Sequence, residues 1–174
     1  MKKEHGFTLI ELMVGLIIAA VLLAIGVPSF TNLIVSNRLT TQTNEIIATI
    51  NFARSEAVKR NRTVNFCRTD GAAGTACAGA GTWEHWIVLA GAGNVVRRGS
   101  LNRFDNTIGV TSSLPGGNLV LSPDGLSRTT GGAMANGQTI TVCATNGPAE
   151  NARRIDLAAG SRLSTTVLGE ACAW

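Results

Sequence analysis

The sequence predicts an α+β protein: a long N-terminal helix, hydrophobic in its first half, packed on an antiparallel β-rich globular domain with two disulfides. Three observations predict it. Residues 5 to 30, HGFTLIELMVGLIIAAVLLAIGVPSF, form an almost unbroken apolar run. Helical spacing of apolar residues continues beyond that run to about residue 61. After Arg62 the pattern changes to short β-type runs separated by Gly, Pro and Asp clusters. The 174 residues suffice for one domain plus an N-terminal segment. Charged residues are sparse at 15%, glycines number 20 and tyrosine is absent, which suits a loop-rich β domain better than a helical bundle.

The apolar run comes first. From Phe7 to Val27 it would extend about 32 Å as a helix, enough to span a bilayer. Lys2 and Lys3 precede it and place the N-terminus on the cytoplasmic side. A secretory signal peptide is the simplest reading, and Ala24-Ile25-Gly26 has the small-x-small form of a cleavage site. Two features oppose it. Glu11 lies inside the stretch that should be an uncharged core, and the helical pattern continues past residue 28. A carboxylate at that depth costs several kcal/mol, so it marks a functional position.

Gly6-Phe7-Thr8-Leu9-Ile10-Glu11 resembles the class III signal of type IV prepilins and type II secretion pseudopilins. The resemblance implies a leader peptide of residues 1–6, cleaved between Gly6 and Phe7 by a prepilin peptidase that then methylates the Phe7 amine. Residues 7–30 would be a transmembrane and filament-core helix. Glu11, the fifth mature residue, would serve filament assembly by facing the positive N-terminus of a neighbouring subunit, since an opposite charge in low dielectric offsets much of the burial cost. Implied partners are other minor and major pilins, the peptidase and an inner-membrane assembly platform. The implied location is the inner membrane, single pass with the globular domain in the periplasm, and the extracellular pilus after assembly.

Residues 31–61 form the amphipathic half of the helix. Ile46, Ile50, Ala53 and Ala57 recur on one face, with Glu45, Arg54, Ser55 and Lys59 elsewhere on the wheel. Gly15, Gly26 and Pro28 weaken the upstream stretch, and local melting there is an expectation for the filament. The helix should end near Arg60-Asn61. Residues 62–174 form the globular domain. Strands are expected at Thr63–Arg68, Trp83–Leu89, Val95–Leu101, Thr107–Val110, Leu119–Leu121, Thr139–Ala144, Arg153–Leu157 and Leu163–Val167. Pro115-Gly116-Gly117, Pro123-Asp124-Gly125 and Gly131-Gly132 are turns.

The four cysteines are Cys67, Cys77, Cys143 and Cys172. None forms a C-x-x-C pair and no histidine lies near one, so a zinc site is not indicated. An even count behind an export-type N-terminus indicates two disulfides. Three pairings exist; sequence order favours Cys67 with Cys77 and Cys143 with Cys172.

Phe52-Ala53-Arg54-Ser55-Glu56-Ala57 before Thr63-Val64-Asn65-Phe66-Cys67, and the later Trp83…Trp86-Ile87-Val88, resemble the GspH/FimT group of minor pilins. That group implies three alternatives: a type IV pilus minor pilin, a DNA-receptor pilin for natural transformation, or a type II secretion pseudopilin. Enzymatic chemistry has little support, with two histidines and no G-x-S-x-G, Walker or H-E-x-x-H motif, and no cofactor is expected. The net charge is +4, carried by twelve arginines and three lysines; so modest an excess reads first as a solvated surface, and the arginine bias keeps an anionic partner open. DNA-binding members carry a C-terminal G-R-x-R-type motif. Here Gly160 and Arg162 fit it loosely, with Ser161 where the first arginine would stand. Arg153, Arg154 and Arg162, with Arg97, Arg98 and Arg103 as a second cluster, are the candidate contacts to non-specific double-stranded DNA. Strand alternation would point Arg153 and Arg154 to opposite sides.

Overall fold

The computed structural model describes residues 7–101, 107–145 and 147–172, without the side chains of Ile25, Val27, Pro28 and Ser29. Gly6 and Arg103 therefore lie outside the described residues. The chain divides into two compact units, Met1–Ile34 and Val35–Trp174. Helix α1 covers Leu9–Arg60. Positions 15, 26 and 28 all lie within it, so the melting expected of the filament does not occur in the single chain.

In the first unit the described apolar side chains of α1 are exposed throughout, from Leu9 to Ile34. In the second unit one face of α1 is buried: Leu39, Ile46, Ile50, Ala53 and Ala57. Those are the positions expected from the helical spacing, with Leu39 added. The helix stops through a Schellman motif. Asn61 takes φ 50°, its N–H donates to the Val58 carbonyl, and the Arg62 N–H donates to the Ala57 carbonyl. Asparagine tolerates the left-handed conformation that this stop requires.

Nine strands follow among the described residues: β1 (Val64–Thr69), β2 (His85–Leu89), β3 (Val95–Ser100), β4 (Ile108–Ser112), β5 (Asn118–Leu121), β6 (Ser127–Arg128), β7 (Gln138–Ala144), β8 (Ala152–Ala158) and β9 (Arg162–Leu168). The eight expected strands are all present within a residue or two of their predicted ends. The two-residue β6 was not expected, because so short a strand leaves no alternation to read. The strands form two antiparallel sheets, ordered β3-β2-β1-β5-β6 and β4-β7-β8-β9.

One hydrophobic core joins the α1 face to both sheets. The first sheet supplies Phe66, Trp86, Val88, Leu119 and Leu121; the second supplies Val110, Ile140, Val142, Ile155 and Leu157. Trp83, just ahead of β2, packs its ring 5.3 Å from that of Phe66. Each such side chain contributes about 1.5–3 kcal/mol on full burial, which is why the apolar alternation sets the sheet register. Gly99 of β3 has a steric reason: a Cβ there would collide with the indole of Trp86. Cys67, Ile87 and Leu89 form a smaller cluster on the opposite face of the first sheet. Cys67 bonds to Cys77 and Cys143 to Cys172, with Cα–Cα distances of 5.5 and 5.8 Å, the pairing that sequence order favoured.

Candidate functional site

The head of α1 is built by local hydrogen bonding. Thr8 precedes the helix, its Oγ1 accepts the Glu11 N–H at 3.3 Å, and its carbonyl accepts the Leu12 N–H at 3.2 Å. Thr8-Leu9-Ile10-Glu11 therefore has the form of a capping box, S/T-x-x-E, placing the carboxylate where the positive end of the helix dipole favours an anion. The four-residue spacing of Thr8 and Glu11 carries this signal in the sequence, beneath the depth of the carboxylate in an apolar run and its implied part in assembly. Glu11 is exposed, and from Phe7 to Ile34 it is the only charged residue. Phe7 is 83% exposed and Leu9 76%. A contiguous apolar surface of this kind requires a covering partner, lipid or protein. Among the described residues no helix is long and apolar enough to cross a membrane. The run read from the sequence includes Ile25 and Val27, whose side chains are not among them.

The basic residues do not converge. Arg97 and Arg98 stand on β3 in the first sheet, whereas Arg153, Arg154 and Arg162 stand on β8 and β9 in the second. Arg97 stacks over the Phe52 ring at 5.3 Å, a cation–π contact. Arg98 donates from Nη1 to the carbonyls of Ala72 and Gly74, inside the loop closed by the Cys67–Cys77 bond. Arg68, within that loop, donates to Asp70 inside it and to the carbonyls of Gly79 and Thr82 just beyond Cys77.

Arg153 and Arg154 do point to opposite faces, as alternation requires. Arg153 turns toward α1, is only 8% exposed, and donates to Ser36 Oγ at 3.0 Å and to the carbonyls of Glu150 and Ala152. Arg154 pairs with Asp156 at 2.9 Å and Glu170 at 3.7 Å. Arg162 is exposed. Ser161, where a DNA-binding arginine would stand, is 3% exposed and has φ 61°. Its carbonyl accepts from Arg54 Nη2 and its Oγ from the Ser127 N–H. Position 161 is thus an interior junction. Burial and prior pairing leave Arg153, Arg154 and Arg98 poorly placed to neutralise phosphates, which DNA affinity requires.

Between Trp83 and Trp86, both buried, Glu84 is exposed and His85 half-buried, a surface arrangement on an amphipathic strand. Among the described residues no group of three or more His, Cys, Asp or Glu side chains could hold a metal ion.

Comparison with known proteins follows the same lines. Residues 42–161 match the family described as type II transport protein GspH. Residues 1–27 match the prokaryotic N-terminal methylation motif. No curated protein matches the chain. Among solved structures, the type IV minor pilin FimU of Pseudomonas aeruginosa (strain PAO1) in space group P21 is 17% identical, with a TM-score of 0.51 over 75% of this chain and 90% of that one. The same protein in space group P65 gives 18% identity and a TM-score of 0.49 over 74% and 92%. At these identities the first likeness concerns the fold, an α+β pilin-like arrangement. Methylation motif, family match over most of the globular domain and fold converge: the chain belongs to the GspH family, as a pilin-like protein of the GspH/FimT minor-pilin type.

Proposed function

We propose that this protein is a minor pilin of a type IV pilus. It is cleaved between Gly6 and Phe7 by a prepilin peptidase, methylated on the Phe7 amine, and held in the inner membrane by residues 7–30 with the globular domain in the periplasm. From there it enters the filament at low copy, where it supports the start of assembly alongside other minor and major pilins. One observation carries the reading: the methylation motif over residues 1–27 covers the head of a helix whose described apolar side chains are exposed from Leu9 to Ile34, a stretch with Glu11 as its single charge. Such a helix needs lipid before assembly and protein afterwards. In the filament Glu11 would face the methylated amine of a neighbour, and pairing opposite charges in low dielectric would set the axial register.

The type II secretion pseudopilin is the second reading, favoured by the family description that residues 42–161 match. The DNA-receptor reading is weaker, because Arg98, Arg153 and Arg154 are engaged within the fold. A deletion strain scored together for piliation, twitching, transformation and exoprotein secretion separates the three. The proposal expects loss of pili and twitching with secretion intact; lost secretion with normal pili contradicts it.

A further inference from the structure

A buried cation that has no acidic partner among the described residues lines an open groove of the globular unit. Arg153 is 8% exposed. Its hydrogen bonds among the described residues all go to neutral oxygens: Nη1 to the carbonyls of Glu150 at 3.1 Å and Ala152 at 3.0 Å, and Nη2 to Ser36 Oγ at 3.0 Å. Those bonds leave the Nε–H and one Nη2–H of the guanidinium unused. Lys59, Arg60, Arg68, Arg128 and Arg154, by contrast, each form an ion pair with a carboxylate.

The groove holds about 380 Å³ and is lined by Arg153, by Thr40, Thr43 and Asn44 of α1, and by Thr165 and Val167 of β9. None of these is acidic. Withdrawing a guanidinium from water is costly unless an anion and good hydrogen bonds compensate. Hydroxyls and carbonyls offset part of that cost; a carboxylate offsets more, through charge-assisted and bidentate bonds. β9 is the outer strand of its sheet, so an extended segment can approach alongside it.

We propose that this groove is a docking site for an aspartate or glutamate side chain of a neighbouring pilin-like subunit, seated on Arg153. The inference rests on the filament reading above and names one contact within it. The depth of Arg153 favours a single protruding side chain over a nucleic-acid backbone, which bears its phosphates on a broad surface.

The test uses the full chain in its own cells. Val167, 47% exposed on the groove wall, is replaced by the photoreactive benzoylphenylalanine. Ultraviolet irradiation should yield an adduct with another pilin-like subunit, cross-linked at a peptide that contains Asp or Glu. In a second arm, Thr165→Glu supplies a carboxylate from within the chain. It should reduce the adduct at least about tenfold and raise the melting temperature of the detergent-solubilised protein by about 3 °C or more over Thr165→Gln. Three results would overturn the proposal: no adduct from a chain recovered in sheared filaments, an adduct with nucleic acid or lipid alone, or a Thr165→Glu melting temperature at or below that of Thr165→Gln. The first leaves the minor-pilin reading standing. A chain absent from filaments, with the Thr165→Glu gain intact, overturns the minor-pilin reading while supporting the carboxylate site.

Discussion

Arg54 on α1 donates from Nη2 to the carbonyl of Ser161, 107 positions later in the chain. Because Ser161 Oγ also accepts the backbone N–H of Ser127 in β6, one serine joins the helix, the edge of the first sheet and the start of β9 in the second. The left-handed conformation at Ser161 aims both oxygens inward at that junction.

Ser161→Arg, the change that would bring this segment closer to a DNA-binding arginine motif, should therefore destabilise the protein and add no DNA affinity. The new guanidinium must either be buried or swing out and break both contacts, at a cost of about 2–4 kcal/mol. Urea unfolding followed by the fluorescence of buried Trp83 and Trp86 reads the loss. An unchanged midpoint with tighter DNA binding would show that position 161 faces solvent.

The two disulfides should differ in worth. Cys143–Cys172 spans 29 positions and Cys67–Cys77 only 10, so loop entropy alone assigns about 3.5 and about 2.7 kcal/mol. Arg68 and Arg98 hold the shorter loop independently of its sulfurs. Cys67→Ala/Cys77→Ala should thus cost less than Cys143→Ala/Cys172→Ala, and Arg98→Ala should cost more in the Cys67/Cys77 variant than in the wild type. Strict additivity in a double-mutant cycle would contradict that coupling.

The elements were legible because the core imposes periodicity on the sequence. Ile46, Ile50, Ala53 and Ala57 announce the buried helix face, and the eight longer strands carry alternation or flanking turns. What was not legible is which arginine meets which oxygen. Arg153 reaches Ser36 across 117 positions and Arg98 reaches Gly74 across 24, and tertiary packing alone decides those contacts. A basic residue in a strand reads as surface until its neighbours are known. Thr8 and Glu11 are the opposite case, since their capping spacing lies in four consecutive residues.

The Asp124 carboxylate sits below its ordinary pKa of 3.8, held first by the Leu126 N–H and then by Arg128. A depressed folded-state pKa adds stability above the unfolded value that is lost as pH falls through the folded one. Asp124→Asn should accordingly make the acid limb of the stability profile slightly shallower below about pH 4 and leave its alkaline side unchanged. The carboxylate is exposed, so the effect should shrink in high salt. A steeper acid limb in Asp124→Asn would reverse the sign.

One substitution separates the helix-capping position of Glu11 from the intersubunit role proposed for it. Glu11→Gln preserves the capping-box form with Thr8 and removes the charge. If the carboxylate serves as half of an intersubunit ion pair, this variant should accumulate normally in the membrane yet fall at least about tenfold in sheared filaments. Normal incorporation of Glu11→Gln would reduce Glu11 to a helix cap.

The central claim, that the chain is a processed pilin-type subunit, is tested most directly at its N-terminus. Intact-mass and terminal-peptide mass spectrometry of the mature protein should show a chain starting at N-methylated Phe7, with residues 1–6 removed. A mature chain starting near Val27 would contradict it and restore the secretory-signal reading.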